Sequence, residues 1–120
     1  MKLKYLLILL IGFISCETKE IQTISVEELT VILSNKNVQL VDVRTPEEFK
    51  LGHINNSELI NVKSNDFESI ALEKLDKNKP IYMYCRSGKR GQKACNILQK
   101  KGFKVYNLEG GYLKWKSKKE

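Results

Sequence analysis

This chain of 120 residues has little of what metal and disulfide proteins require. It holds one histidine and three cysteines, with no pair of histidines and no Cys-x-x-Cys spacing, so no structural zinc site, no other metal and no cofactor is expected. Aromatic residues make up only 8% of it and no nucleic-acid-binding motif is present. The formal charge of +7, much of it from Lys114, Lys116, Lys118 and Lys119 and from the stretch between Lys89 and Lys104, is therefore read as a solvated surface, and nucleic acid is not an expected partner. Internal repeats are missing, and so is any sign of a second domain. Long apolar runs are missing as well. Tyr5 to Ile14 is too short to span a bilayer comfortably as a helix.

That short run has a different use. Met1-Lys2-Leu3-Lys4 is a positive n-region, Tyr5 to Ile14 an apolar h-region, and Phe13-Ile14-Ser15-Cys16 gives way abruptly to Glu17-Thr18-Lys19-Glu20. The pattern resembles a bacterial lipoprotein signal, although Phe13 departs from the more usual leucine three residues before the cysteine. The resemblance implies that residues 1–15 are a signal peptide, that Cys16 becomes the lipidated first residue, and that 16–21 form a tether. The protein is then exported, periplasmic or in the cell envelope, with a membrane partner through the lipid on Cys16. About 105 residues remain, enough for one domain with a modest core. Lys2 and Lys4 leave with the signal, so the mature charge is 19 − 14 = +5.

Further on, helical and strand patterns alternate. Ser25-Val26-Glu27-Glu28 is a capping box opening a helix with Leu29, Ile32 and Leu33 on its apolar face. Val38 to Val43 reads as a buried strand ending around Asp42, followed by a second capping box, Thr45-Pro46-Glu47-Glu48, with proline at the first helical position. Gly52-His53-Ile54 stops that helix. A short strand is expected over Leu59 to Val62, a helical stripe over Phe67 to Leu75, a strand over Ile81 to Tyr84 and a helix beginning near Arg90, with Gly102 at its end. Phe103 to Leu108 is the last strand, and Gly110-Gly111 opens a terminal helix carrying Tyr112, Leu113 and Trp115. This order defines an α/β domain whose mainly parallel sheet is flanked by helices.

In such sheets ligands gather at the carboxyl ends of the strands. Asp42 and Cys85 both end a strand, so their loops can meet. Cys85 opens the loop Cys85-Arg86-Ser87-Gly88-Lys89-Arg90-Gly91, where unpaired backbone N–H groups of the loop and first helical turn point at whatever the sulfur carries. With Arg86, Lys89 and Arg90 beside it, the thiol is expected to exist largely as thiolate near neutrality. Cys95 falls inside the following helix, too far for a disulfide to Cys85, and is read as a helix-face residue.

Asp42-Val43-Arg44-Thr45-Pro46-Glu47-Glu48-Phe49, Gly52-His53-Ile54, Tyr84-Cys85-Arg86-Ser87-Gly88-Lys89-Arg90 and Leu108-Glu109-Gly110-Gly111 with Trp115 occur in this order. Together they resemble a single-domain rhodanese over residues 22–117, leaving 118–120 as a basic tail. The resemblance implies a three-layer rhodanese-like fold and a sulfurtransferase. Cys85 would accept a sulfane sulfur from a small anionic donor such as thiosulfate and pass it to a thiol or cyanide acceptor. The N–H groups from Arg86 to Gly91, Ser87 and Gly88 included, would cradle the persulfide. Arg86, Lys89 and Arg90 would attract the donor, and Asp42 and Arg44 would brace the loop. Asn55-Asn56-Ser57-Glu58 departs from the proline, glycine and alanine that many members carry there, which places Glu58 near the pocket mouth as a candidate for acceptor choice. His53 is read as a structural turn residue, because a thiolate needs no base. Two other readings compete: a membrane-tethered sulfide or redox-binding module with little turnover, and a rhodanese-like phosphatase or arsenate reductase. The second requires five residues between cysteine and arginine, whereas four separate Cys85 from Arg90. For the anchor, Cys16→Ala is expected to abolish incorporation of radiolabelled fatty acid; label that persists in the variant would refute lipidation at Cys16.

Overall fold

The computed structural model describes residues 20–120 except Lys36. The signal peptide, Cys16 and the tether up to residue 19 lie outside the described residues. Five strands, β1 (Gln22–Ile24), β2 (Gln39–Asp42), β3 (Glu58–Leu59), β4 (Ile81–Tyr84) and β5 (Val105–Leu108), form one sheet in the order β1-β5-β4-β2-β3. Every pairing is parallel. Five helices connect and flank them: α1 (Val26–Ile32), α2 (Pro46–Leu51), α3 (Phe67–Lys74), α4 (Lys89–Lys100) and α5 (Gly111–Lys119). None of the described helices is long and apolar enough to cross a membrane.

The strands read as apolar because both faces are covered, and a period of two sorts their residues between two cores. Val41, Val43, Ile81, Met83, Cys85 and Val105 face α3 and α4, packing with Phe67, Ala71, Ala94, Cys95 and Leu98. Leu40, Tyr84 and Leu108 face the opposite way, towards Val26 and Leu29 of α1 and Tyr112 and Trp115 of α5. Leu29 and Leu98 are fully enclosed; each such burial stabilises the fold by about 1.5–3 kcal/mol.

Both capping boxes form as expected. Ser25 and Glu28, and Thr45 and Glu48, satisfy each other's exposed backbone N–H groups, and Pro46 opens α2. Three expectations change. β1 was not foreseen: it is a three-residue edge strand, two of its residues are exposed, and only its pairing with β5 defines it. The strand expected over Leu59 to Val62 is Glu58–Leu59. Beyond it the chain still bonds to the β2 end, Ile60 and Val62 donating to the carbonyls of Asp42 and Val43. Finally, α5 runs to Lys119, so most of the segment 118–120 is helix; Lys118 reaches Glu27 at 2.8 Å and Lys119 reaches the Thr30 hydroxyl at 2.9 Å.

A buried ion pair ends β2. Asp42 is fully enclosed and Arg44 is 4% exposed. The carboxylate accepts the Arg44 Nε at 2.9 Å, its Nη2 at 2.7 Å and its backbone N–H at 2.9 Å. The guanidinium also donates to the Gly52 carbonyl at 2.7 Å and lies over the Tyr112 ring, 4.4 Å from its centroid. Removing one member would strand the other charge in the interior. Asp42→Ala is therefore expected to lower unfolding stability by about 3–5 kcal/mol in urea titrations; a change within experimental error would show that the pair does not hold the fold.

Candidate active site

Cys85 follows β4 directly, and its register beside β2 brings the β2 and β4 ends together at the carboxyl edge of the sheet, Asp42 opposite Tyr84. Cys85 is a free cysteine and is buried, 1% exposed. Above it, Arg86 and Ser87 are exposed and Gly88 is the N-cap of α4. The Gly88 N–H donates to Cys85 Sγ at 2.9 Å. Gly88 has φ +131°, ψ −28°, a conformation open to glycine and closed to almost every side chain, and this is how so short a loop turns an N–H back onto its own sulfur.

The loop is tied down from the far end of the chain. Tyr112 N–H donates to the Cys85 carbonyl at 2.8 Å and Leu113 N–H to the Arg86 carbonyl at 3.1 Å. A Cβ on Gly111 would stand 2.5 Å from the Arg86 carbonyl oxygen, so only glycine lets α5 come this close. The Gly110-Gly111 pair thus seats the first turn of α5 on the cysteine loop as well as opening the helix. Asp42 and Arg44 reach the loop at one remove: Arg44 stacks on Tyr112, whose N–H donates to the Cys85 carbonyl.

Arg90 is engaged differently than expected, and Gly91 has a packing role besides its backbone N–H. Arg90 is not a free cation for an incoming anion. Its guanidinium grips Glu48 of α2 through two bonds, Nη1 to Oε1 at 2.6 Å and Nη2 to Oε2 at 2.9 Å. A fork-on-carboxylate pair is the strongest partner available to arginine there, so Arg90 fastens α4 to α2. The hydrogen bond from Arg90 holds the Glu48 carboxyl at about 2, well below its ordinary range, and the Thr45 backbone and hydroxyl add to this. Gly91 is buried against the side chain of Asn107, which occupies the space a Cβ would need; close packing demands its glycine. Arg86 and Lys89 are exposed, and neither joins an ion pair among the described residues.

Other residues fall outside the site. Glu58 lies on the edge strand β3, half-exposed and 3.9 Å from Lys74. The departing turn is shaped by Asn56 at φ +68°, a left-handed position asparagine tolerates. His53 bonds the Phe49 carbonyl through Nδ1 at 2.8 Å and stacks on the Phe49 ring, as a structural turn residue does. Cys95 is enclosed in the α4 core, where burial, with the Cys85 sulfur nearby, pushes its thiol up to about 12.

Glu48 and Asn107 were not singled out from the sequence. Glu48 serves in a capping box, which already accounts for it. Asn107 had a signal: it is a polar residue at a core-facing position of an apolar strand.

Fold and site together define a parallel α/β domain that presents a cysteine in a strand-to-helix loop at the carboxyl edge of its sheet. Residues 25–118 match the rhodanese-like domain family. The chain is 36% identical over 99 residues to YtwF of Bacillus subtilis, named provisionally as a sulfurtransferase, covering 82% of this chain and 91% of that one. A crystal structure of a rhodanese-like domain protein from Staphylococcus aureus superposes with a TM-score of 0.71 at 36% identity, covering 79% of this chain and 91% of that one. The chain belongs to the rhodanese-like family, and this kinship supports an enzymatic role. A tRNA uridine(34) hydroxylase of Buchnera aphidicola is 38% identical over 98 residues, 77% of this chain, but the match spans only 31% of the hydroxylase.

Glu48 carries a pH signature. Its folded pKa lies below the ordinary value of 4.5, so its stabilisation is complete above the unfolded pKa and is lost as the pH falls through about 2. Discounted for its partial exposure, the Arg90 bridge is worth about 1 kcal/mol. Glu48→Gln is expected to show that deficit in urea titrations at pH 7, and the gap from wild type should narrow as the pH is taken from 5 down through 2. A gap independent of pH would remove the ion pair as its cause.

Proposed function

We propose that this protein is a sulfurtransferase that carries sulfane sulfur on Cys85. The observation that carries the reading is the Gly88 N–H held on the Cys85 sulfur at 2.9 Å, inside a loop whose exposed rim bears Arg86 and Lys89. A donor aimed at sulfur steadies negative charge on it, both before attack and in the persulfide that follows. The rim cations attract a small anion such as thiosulfate.

The chemistry balances in two displacements. The Cys85 thiolate attacks the outer sulfur of thiosulfate, a sulfur–sulfur bond forms to Cys85, and the original sulfur–sulfur bond breaks with its electron pair leaving on sulfite. Cyanide or a thiolate then attacks the outer sulfur of the persulfide and Cys85 leaves as thiolate. No external oxidant is consumed, and ping-pong kinetics follow from the covalent intermediate.

A phosphatase is disfavoured: the position that would carry its arginine is Gly91, and Arg90, one residue short, is held by Glu48. The N-terminal sequence pattern supports an exported protein held at the envelope by lipid on Cys16, with small donors and acceptors as its partners there.

Incubation with thiosulfate followed by intact-mass measurement tests the reading. The protein is expected to gain the mass of one sulfur atom and lose it on addition of cyanide, and Cys85→Ser should gain none. Gain on Cys95 instead, or no gain, would overturn the mechanism. Gain that cyanide and thiols fail to discharge would identify a binding module.

A further inference from the structure

Asn107 sits where stability alone would place a leucine. It lies on β5, with Met83 of β4 opposite it in register, and it shares the sheet face of Val105. It is 4% exposed. Its Nδ2 donates to the Gly88 carbonyl at 3.0 Å, while its Oδ1 is buried with no hydrogen-bond partner among the described residues. An apolar side chain of similar shape would avoid stranding that acceptor. The chain has gone further to keep the asparagine: Gly91 lacks a Cβ where the Asn107 amide needs the room.

What Asn107 holds explains its presence. Gly88 is the N-cap of α4 and has no side chain with which to cap it. Its carbonyl accepts the Gln92 N–H at 3.0 Å, as in any first helical turn, and the Asn107 amide is a second donor to the same oxygen from a different element. The N–H of this residue is the one on the Cys85 sulfur. Gly88 has the freest backbone in the loop, at φ +131°, so its orientation must be imposed from outside.

We infer that Asn107 is a positioning residue: by clamping the Gly88 carbonyl to β5 it aims the Gly88 N–H at the sulfur and so sets the geometry for sulfur transfer. The inference rests on Cys85 being the sulfur carrier as far as turnover is concerned, but the clamp itself is a property of the sulfur-free protein. Asn107 touches neither donor nor acceptor. It acts through Gly88.

The test uses the full chain with Asn107→Leu, which keeps the shape without the amide, and Asn107→Ala, in case leucine crowds Gly91. In thiosulfate–cyanide turnover, kcat is expected to fall about three- to tenfold, the fold-change of one neutral hydrogen bond. KM for thiosulfate should stay within about twofold, because Arg86 and Lys89 are untouched. The melting midpoint of Asn107→Leu should be no lower than that of wild type. In sulfur-free protein, the Gly88 amide proton resonance should move upfield towards its position in Cys85→Ala, where no sulfur accepts the bond. An unmoved Gly88 resonance, an unchanged kcat, a rise in KM alone, or activity lost only in step with a lowered melting midpoint would each overturn the inference. Should wild type take up no sulfur at all, the sulfurtransferase reading fails, whereas the Gly88 resonance still decides the role of Asn107.

Discussion

Arg44 carries a full positive charge in a place almost closed to water, and the active edge of the domain is arranged around meeting that charge. A buried guanidinium is tolerable only when each of its faces and edges finds a partner. Asp42 supplies the countercharge from the end of β2, the Gly52 carbonyl takes another N–H, and the Tyr112 ring covers one face. Each partner belongs to a different part of the chain. Satisfying one cation therefore draws together the end of β2, the turn after α2 and the start of α5. Through Tyr112 the constraint passes to Cys85, whose carbonyl receives the Tyr112 N–H. The cysteine loop is short and glycine-bearing, and its order comes from these external attachments.

The cations around Cys85 divide their work. Arg90 lies nearest in kind to an anion-binding arginine, yet its charge is spent on Glu48, which welds α2 to α4 at the site. Arg86 and Lys89 remain on the exposed rim. This division leaves two solvated cations on the rim and no unpaired guanidinium fixed at the end of the loop. Beneath the loop, the two cysteines among the described residues have different partners. Cys85 has an N–H aimed at its sulfur, whereas burial among apolar side chains pushes the Cys95 thiol up to about 12.

Local signals were legible where local physics makes them. Ser25 with Glu28, and Thr45 with Glu48, are reciprocal hydrogen-bonding pairs three residues apart, and both form as the spacing requires. β4 and β5 are apolar runs bounded by breakers, and both appear within a residue or two of the expected limits. β1 escaped notice because three residues with two exposed carry no periodicity of their own; β5 makes them a strand. Glu48 and Asn107 escaped for the same kind of reason. A capping glutamate has one oxygen accounted for locally, and nothing nearby in sequence shows that Arg90, 42 positions on, claims the carboxylate as well. Asn107 serves Gly88 from 19 positions away.

What the sequence determined by itself was the alternating order of strands and helices, the cysteine at a strand end before a glycine-bearing cationic loop, and the family those motifs resemble. These rest on contacts within a few residues, whose rules depend only on spacing and side-chain type. Which cation is spent and which is left, what makes Gly91 a glycine, how Gly110-Gly111 seats α5 on the loop, and which strand clamps Gly88 were decided only in the tertiary structure. Each depends on two distant segments competing for one charge or one small volume. A chain read in order cannot show which competitor arrives, because the sheet register brings them together.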